Sequence, residues 1–393
     1  MAVPRTKTGN YPSVLSYGFR PFFLLGSLYG GLTILFWLPL FYGQLETHSL
    51  FSPIDWHIHE MLFGYLAAVV TGFLLTAIPN WTGRLPVQGL PLLTLVVVWL
   101  LGRLAVFFSN ELGWFAAAMD CSFLLMVVVA AATEIIAGKN WQNLKVLAPV
   151  TVLFAANIVF YLEVACAGTS DIGRRLGLGV VLVLLALIGG RIIPSFTRNW
   201  LVRENPGRLP VPFNRFDQVT IMLTVIALLS WVFLPEHGLT GGGLLIAAFL
   251  QGFRLYRWAG WRTLRDPLVT ILHVAYVFVP IGLFLVAAAI LRPDLVPSAA
   301  GMHAIGIGAL GGMTLAVMTR ATLGHTGRRL EADSATCVLY AAILLASVTR
   351  IAASFDPSGT ILLYVSATSW AVAFLGFALW YGPMLVRPRV QKS

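Results

Sequence analysis

The stretch "DWHIHEMLFGYLAAVVTGFLLTAIP", residues 55–79, decides the fold. It opens on an acid, two imidazoles and Glu60, then runs from Met61 to Pro79 without a charge. About 20 mostly apolar residues are what a helix needs to cross ~30 Å of hydrocarbon. Ser52, Pro53 and Asp55 read as a helix start, with Ser at the N-cap, Pro first and an acid third. Ionisable groups at the head of such a segment are costly in a bilayer and are usually functional.

The rest of the chain repeats this pattern. Of 393 residues, 58% are hydrophobic and only 11% charged, and the mean hydropathy is +0.83. A soluble domain would have too few charges for its surface. Twelve candidate spans follow, at 19–42, 57–79, 90–108, 112–137, 144–166, 174–197, 216–235, 239–258, 268–291, 298–323, 334–355 and 359–385. Turn residues such as Pro53, Gly83, Pro86, Pro235 and Pro357 separate them. The expected fold is all-α: a polytopic membrane protein with about 12 transmembrane helices, forming one transmembrane domain over residues 1–393. The first twenty residues lack an apolar core, so no removable signal peptide is expected. Cys121, Cys166 and Cys337 have no paired spacing and read as packing residues.

Placing the N-terminus in the cytoplasm puts most of the 26 basic residues on that side. They include Arg5, Lys7 and Lys392 near the termini, the loop 198–215, and Arg254 and Arg257. Arg103 is assigned to the opposite face, and Arg191 and Arg320 fall inside spans as buried cations without an obvious acid. This positive-inside bias implies an orientation with both termini cytoplasmic. It explains the formal charge of +10 without a nucleic-acid partner; the partner implied is the lipid bilayer.

Five of the seven histidines then fall at two depths. His57, His59 and His303 lie toward the outer face, and His273 and His325 toward the inner. His57 and His59 are about 200° apart on a regular helix and cannot easily share one ion. Glu60 shares a face with His57 and is a candidate proton relay or ligand-orienting acid. From His59, Gly64, Leu66 and Thr82-Gly83-Arg84 recur at the same offsets as Gly308, Leu310 and Thr326-Gly327-Arg328 from His303. Arg174, Gly179 and Thr197-Arg198 fit more loosely, which suggests three repeat units at 1–140, 141–260 and 261–393. Three four-helix units resemble the catalytic subunit of haem–copper oxidases. That resemblance would pair His59 or His57 with His303 across a haem iron. Spans 6 and 7 hold no histidine, so an oxidase-type binuclear centre is not expected.

A more specific resemblance rests on several motifs together: "GFRPFF" (18–23), "WHIHEMLFGY" (56–65), "GFLLTAIPNWTGRLP" (72–86), "LLGRLA" (100–105), "GGRIIPSFTRN" (189–199), "HVAYVFVPIG" (273–282) and "HAIGIGALGGMTLAVMTRATLGHTGR" (303–328). The chain is similar in these to the NnrS family, with Arg198 as one departure. The resemblance implies a bacterial inner-membrane protein containing haem, b-type by expectation, and copper. It also implies a role in nitric oxide metabolism, denitrification and resistance to nitrosative stress. Nitric oxide is then the implied ligand, with redox or denitrification proteins as partners. Haem-dependent nitric oxide oxidoreductase activity is the enzymatic reading. Candidate haem or metal ligands are His57, His59, His273, His303 and His325, and Arg191 and Arg320 are candidates to hold haem propionates or a bound anion. Two rival functions fit the same spans: a transporter of an anion or metal, and an assembly factor delivering haem or copper to a reductase.

Overall fold

The computed structural model describes residues 11–356 and 358–390. Arg5, Lys7, Pro357 and Lys392 lie outside the described residues. The described chain is helical with no strand, and twelve helices are long and apolar enough to cross a membrane. They are α1 (Phe19–Phe41), α2 (Pro53–Thr82), α3 (Leu90–Phe107), α4 (Trp114–Ala137), α5 (Trp141–Ala167), α6 (Asp171–Glu204), α7 (Arg215–Phe233), α8 (Gly238–Arg262), α9 (Pro267–Leu291), α10 (Ser298–His325), α11 (Ser334–Phe355) and α12 (Thr360–Val386). The sequence places each span to within a few residues, except that α6 extends to Glu204 through polar residues that hydropathy alone would exclude.

Packing divides the chain into two compact units. The first holds the described residues within Met1–Gly177, Ala321–Arg328 and Phe374–Ser393. Its centre is the approach of α1 to α2, which small residues permit. A side chain at Gly30 would run into the Tyr65 ring, and one at Gly72 would meet Phe22 and Phe23. Phe19, Phe22, Phe23, Ala67, Ala68 and Leu75 are buried around this contact. The second unit is Leu178–Arg320 with Arg329–Ala373. Here α9 packs on α10, with Gly301 against Val286, Gly282 against Ile305 and Gly308 against the Phe278 ring.

Two helices leave α-geometry. In α2 the residues Glu60–Leu66 form a π-helical turn, and in α10 so do Ala304–Gly311. Each begins at the residue after a histidine matched in register, His59 and His303. The matched glycines Gly64 and Gly308 both lie inside these turns. π-turns are rare and concentrate where function demands a local change of register.

Candidate functional site

The start of α2 is built as its residues require. Ser52 caps the helix, accepting from the Asp55 amide at 3.1 Å, with Pro53 in the first position. Its hydroxyl also donates to Asp55 Oδ2 at 2.6 Å, and Ser170 donates to Oδ1 at 2.5 Å. One turn further on lies His59, wholly buried. The rings of Phe51, Phe63, Phe160 and Tyr161 surround its imidazole at 4.8–5.3 Å between centroids. His57 points elsewhere and stacks on Trp37 at 4.4 Å, as the angular separation of the two histidines requires.

Beneath the aromatic box lies a buried network of charged and polar side chains from five consecutive helices. Arg103 of α3 donates through Nη1 to both Glu60 oxygens at 2.8 Å, and through Nη2 to Asp120 Oδ1 of α4. Tyr29 of α1 donates to Glu60 Oε2. Asn157 of α5 donates through Nδ2 to Asp120 Oδ2 at 2.8 Å. His59 closes the ring: Nδ1 is 2.9 Å from Glu60 Oε1, and Nε2 is 2.9 Å from Asn157 Oδ1 and 3.2 Å from Asp120 Oδ2. Glu60 and His59 are 0% exposed, Asp120 and Asn157 1%, and Arg103 6%. So apolar a setting tolerates charges only when they are paired and hydrogen-bonded.

Gly64 and the π-turn make room for this. A side chain at Gly64 would come within 2.8 Å of Arg103 Nη1 and 3.0 Å of Glu60 Oε2. The Trp99 indole donates to the Gly64 carbonyl at 3.0 Å, satisfying an oxygen within the irregular turn. Arg103 falls within α3, as the span limits 90–108 predict. Glu60 and Asp120 neutralise it there.

The second unit has its own buried ion cluster. Arg254 of α8 is 0% exposed. It donates through Nε to Asp217 Oδ1 at 2.9 Å, and through Nη1 to the Ala186 carbonyl at 3.0 Å and Tyr276 Oη at 3.1 Å. Arg257 reaches Asp217 Oδ2 at 3.2 Å, and Tyr276 donates to Gln251 at 2.8 Å. Arg254 lies in the last turn of the α-helical part of α8 and Arg257 is its C-cap, and both are buried. Of the cations assigned to span interiors, Arg191 is exposed on the helix surface, which corrects the expectation of a buried charge. Arg320 is half-buried and lies over the Phe196 ring at 4.2 Å.

The other histidines fall in separate settings. His273 is buried, with Nε2 2.7 Å from Thr197 Oγ1 and Nδ1 lacking a hydrogen-bond partner among the described residues. Gly260 packs directly on that ring. His325 lies beside Tyr17 and Phe19, at 5.8 and 5.4 Å. His303, at the head of the π-turn in α10, donates from Nδ1 to the Ala299 carbonyl at 2.7 Å. His48 pairs with Glu111 at 2.5 Å, and His237 caps α8. Among the described residues, no three His, Cys, Asp or Glu side chains form a set that could hold a metal ion.

A model of the NnrS family, described as NnrS protein, matches residues 13–389. The chain belongs to the NnrS family. The match takes in both ion clusters and both π-turns, so these are parts of an NnrS protein rather than of an appended segment. No curated protein matches the chain.

Sequence reading singled out Glu60 and His59 in this NnrS chain but missed Tyr29, Arg103, Asp120 and Asn157. A signal was present: Arg103, Asp120 and Asn157 are each a polar interruption of an apolar run, in three spans that follow α2.

Proposed function

We propose that this protein serves the nitric oxide response as an inner-membrane haem protein, and that His303 supplies the imidazole to the iron. Family membership supports the role in the nitric oxide response. The observation that carries the haem reading is the hydrogen bond from His303 Nδ1 to the Ala299 carbonyl. A carbonyl only accepts, so Nδ1 bears the proton and the neutral ring keeps its lone pair on Nε2. Fixing the tautomer in this way is how proteins prepare an imidazole for a metal. Gly306, in the π-turn that follows, faces open space, which suits a flat macrocycle.

The residues around His59 do not fit axial ligation. Both ring nitrogens face side-chain oxygens, and four aromatic rings close the space around the imidazole. Pairing His59 with His303 across one iron is therefore not proposed. Haem held by His303 alone would supply an iron at which nitric oxide could bind. Copper would require ligands that the described residues do not group together.

The test is the optical spectrum of purified protein. His303→Ala should abolish the haem absorbance and its shift on adding nitric oxide. A His303→Ala spectrum identical to that of the parent would overturn the assignment. A second reading, a transporter, is favoured by the charges buried within spans, which coupled carriers use at their binding sites. Solute uptake by vesicles containing colourless, metal-free protein would support it instead.

A further inference from the structure

We infer that His59 is not a metal ligand but part of a proton-sharing site, in which one proton is held in common by His59, Glu60 and Asp120. Hydrogen positions in the cluster are constrained by donors and acceptors alone. Glu60 Oε1 and Oε2 both face Arg103, and Oε2 also faces the Tyr29 hydroxyl. Asp120 Oδ1 faces Arg103 and Oδ2 faces the Asn157 amide nitrogen. That orientation leaves Asn157 Oδ1 toward His59 Nε2. Flipping the amide would set its oxygen against Asp120 Oδ2, so it relieves nothing.

His59 thus has an oxygen at each ring nitrogen. A neutral imidazole carries one N–H and one lone pair. With ionised carboxylates, either tautomer would aim that lone pair at an oxygen acceptor. One further proton removes the conflict. Placed on the ring, it makes both nitrogens donors; placed on Glu60 or Asp120, it makes the carboxyl a donor to the ring.

Charge leads to the same count. Glu60 and Asp120 bring two negative charges and Arg103 one positive charge, all buried. The shared proton brings the sum to zero. The other side chains in the shell, Tyr29, Asn157 and Tyr161, are uncharged in their ordinary forms.

The arrangement also defines a path. A proton reaching Glu60 Oε1 can pass to His59 Nδ1 across 2.9 Å, while the proton on Nε2 passes to Asp120 Oδ2 across 3.2 Å. The ring ends in its other tautomer, one N–H bond has formed and one has broken, and no electrons move. The aromatic box keeps bulk water from short-circuiting this exchange. Supplying such a proton to nitric oxide chemistry would rest on the function proposed above; the shared proton itself does not.

The test uses the full-length protein labelled with nitrogen-15 at histidine, with His59→Gln to assign the His59 signals. At neutral pH the expected result is a His59 ring with both nitrogens protonated, or else a protonated-carboxyl infrared band that Glu60→Gln or Asp120→Asn removes. In Asp120→Asn the cluster is neutral without the extra proton, so a doubly protonated His59 should lose one hydrogen, or the carboxyl band should vanish. Glu60→Gln should do the same if Asp120→Asn does not fold. A parent protein with one bare His59 nitrogen and no protonated carboxyl overturns the proposal. So does a folded His59→Gln variant that has lost its haem. A haem protein that retains its spectrum in His59→Gln supports it. Failure of the haem reading would appear in the His303→Ala spectrum and leave the nitrogen-15 result standing.

Discussion

Arg103 is the residue on which the first unit's interior charge balance turns, because its two Nη groups engage Glu60 and Asp120 separately. Removing one member of a buried ion pair leaves the other uncompensated, which costs about 3–5 kcal/mol. Arg103→Ala should therefore lower the melting temperature in detergent far more than an exposed arginine such as Arg292→Ala. Arg103→Lys should fall between the two, since a compact ammonium cannot reproduce the two-armed fork. Asp217→Ala should show the same large effect in the second unit, because Arg254 and Arg257 both depend on that carboxylate. Thermal unfolding measured side by side checks all of these. The sequence exposed Glu60 and His59 readily, because they stand together at a helix start. It did not reveal that Arg103, Asp120 and Asn157 complete their shell, since pairing across helices depends on which faces meet, and hydropathy does not report faces.

The elements were legible where a single helix carries the signal. Ser52, Pro53 and Asp55 formed the expected start of α2, and Ser52→Ala should cost about 1 kcal/mol through loss of the cap, read as a small drop in melting temperature. The π-turns were not legible, because nothing in "EMLFGYL" departs from an ordinary apolar helix. Their cause is tertiary: α2 must set Glu60 against a guanidinium while Gly64 gives it room. Gly64→Ala should therefore push Arg103 off Glu60 and destabilise the protein, although alanine is the better helix former. A variant as stable as the parent would show that the turn does not depend on this contact. A regular helical wheel drawn through His59 also drifts by roughly one residue, about 100°, beyond Leu66. Faces predicted by continuing that wheel into the second half of α2 are wrong for this reason.

At the scale of the molecule, the number of spans and their limits followed from composition and length, because a bilayer fixes both. The basic residues predict which side each end occupies, and native cysteines test that prediction. Cys166 near the end of α5 and Cys337 near the start of α11 are exposed, and Cys121 is buried. With cytoplasmic termini, a membrane-impermeant maleimide added to intact spheroplasts should label Cys166 and spare Cys337. Labelling of Cys337 alone would reverse the orientation. Cys121 should react only after denaturation. The charges inside the first unit also bear on how the chain enters the membrane. Glu60, Arg103 and Asp120 arrive on three successive helices, each within about two turns of a helix end, and a charge inside a spanning segment is costly until it is paired. Helices α2, α3 and α4 are thus poor candidates for stepwise release into lipid. Their partition as a group, held at the insertion machinery until α4 has emerged, is the order of biogenesis that this cluster favours.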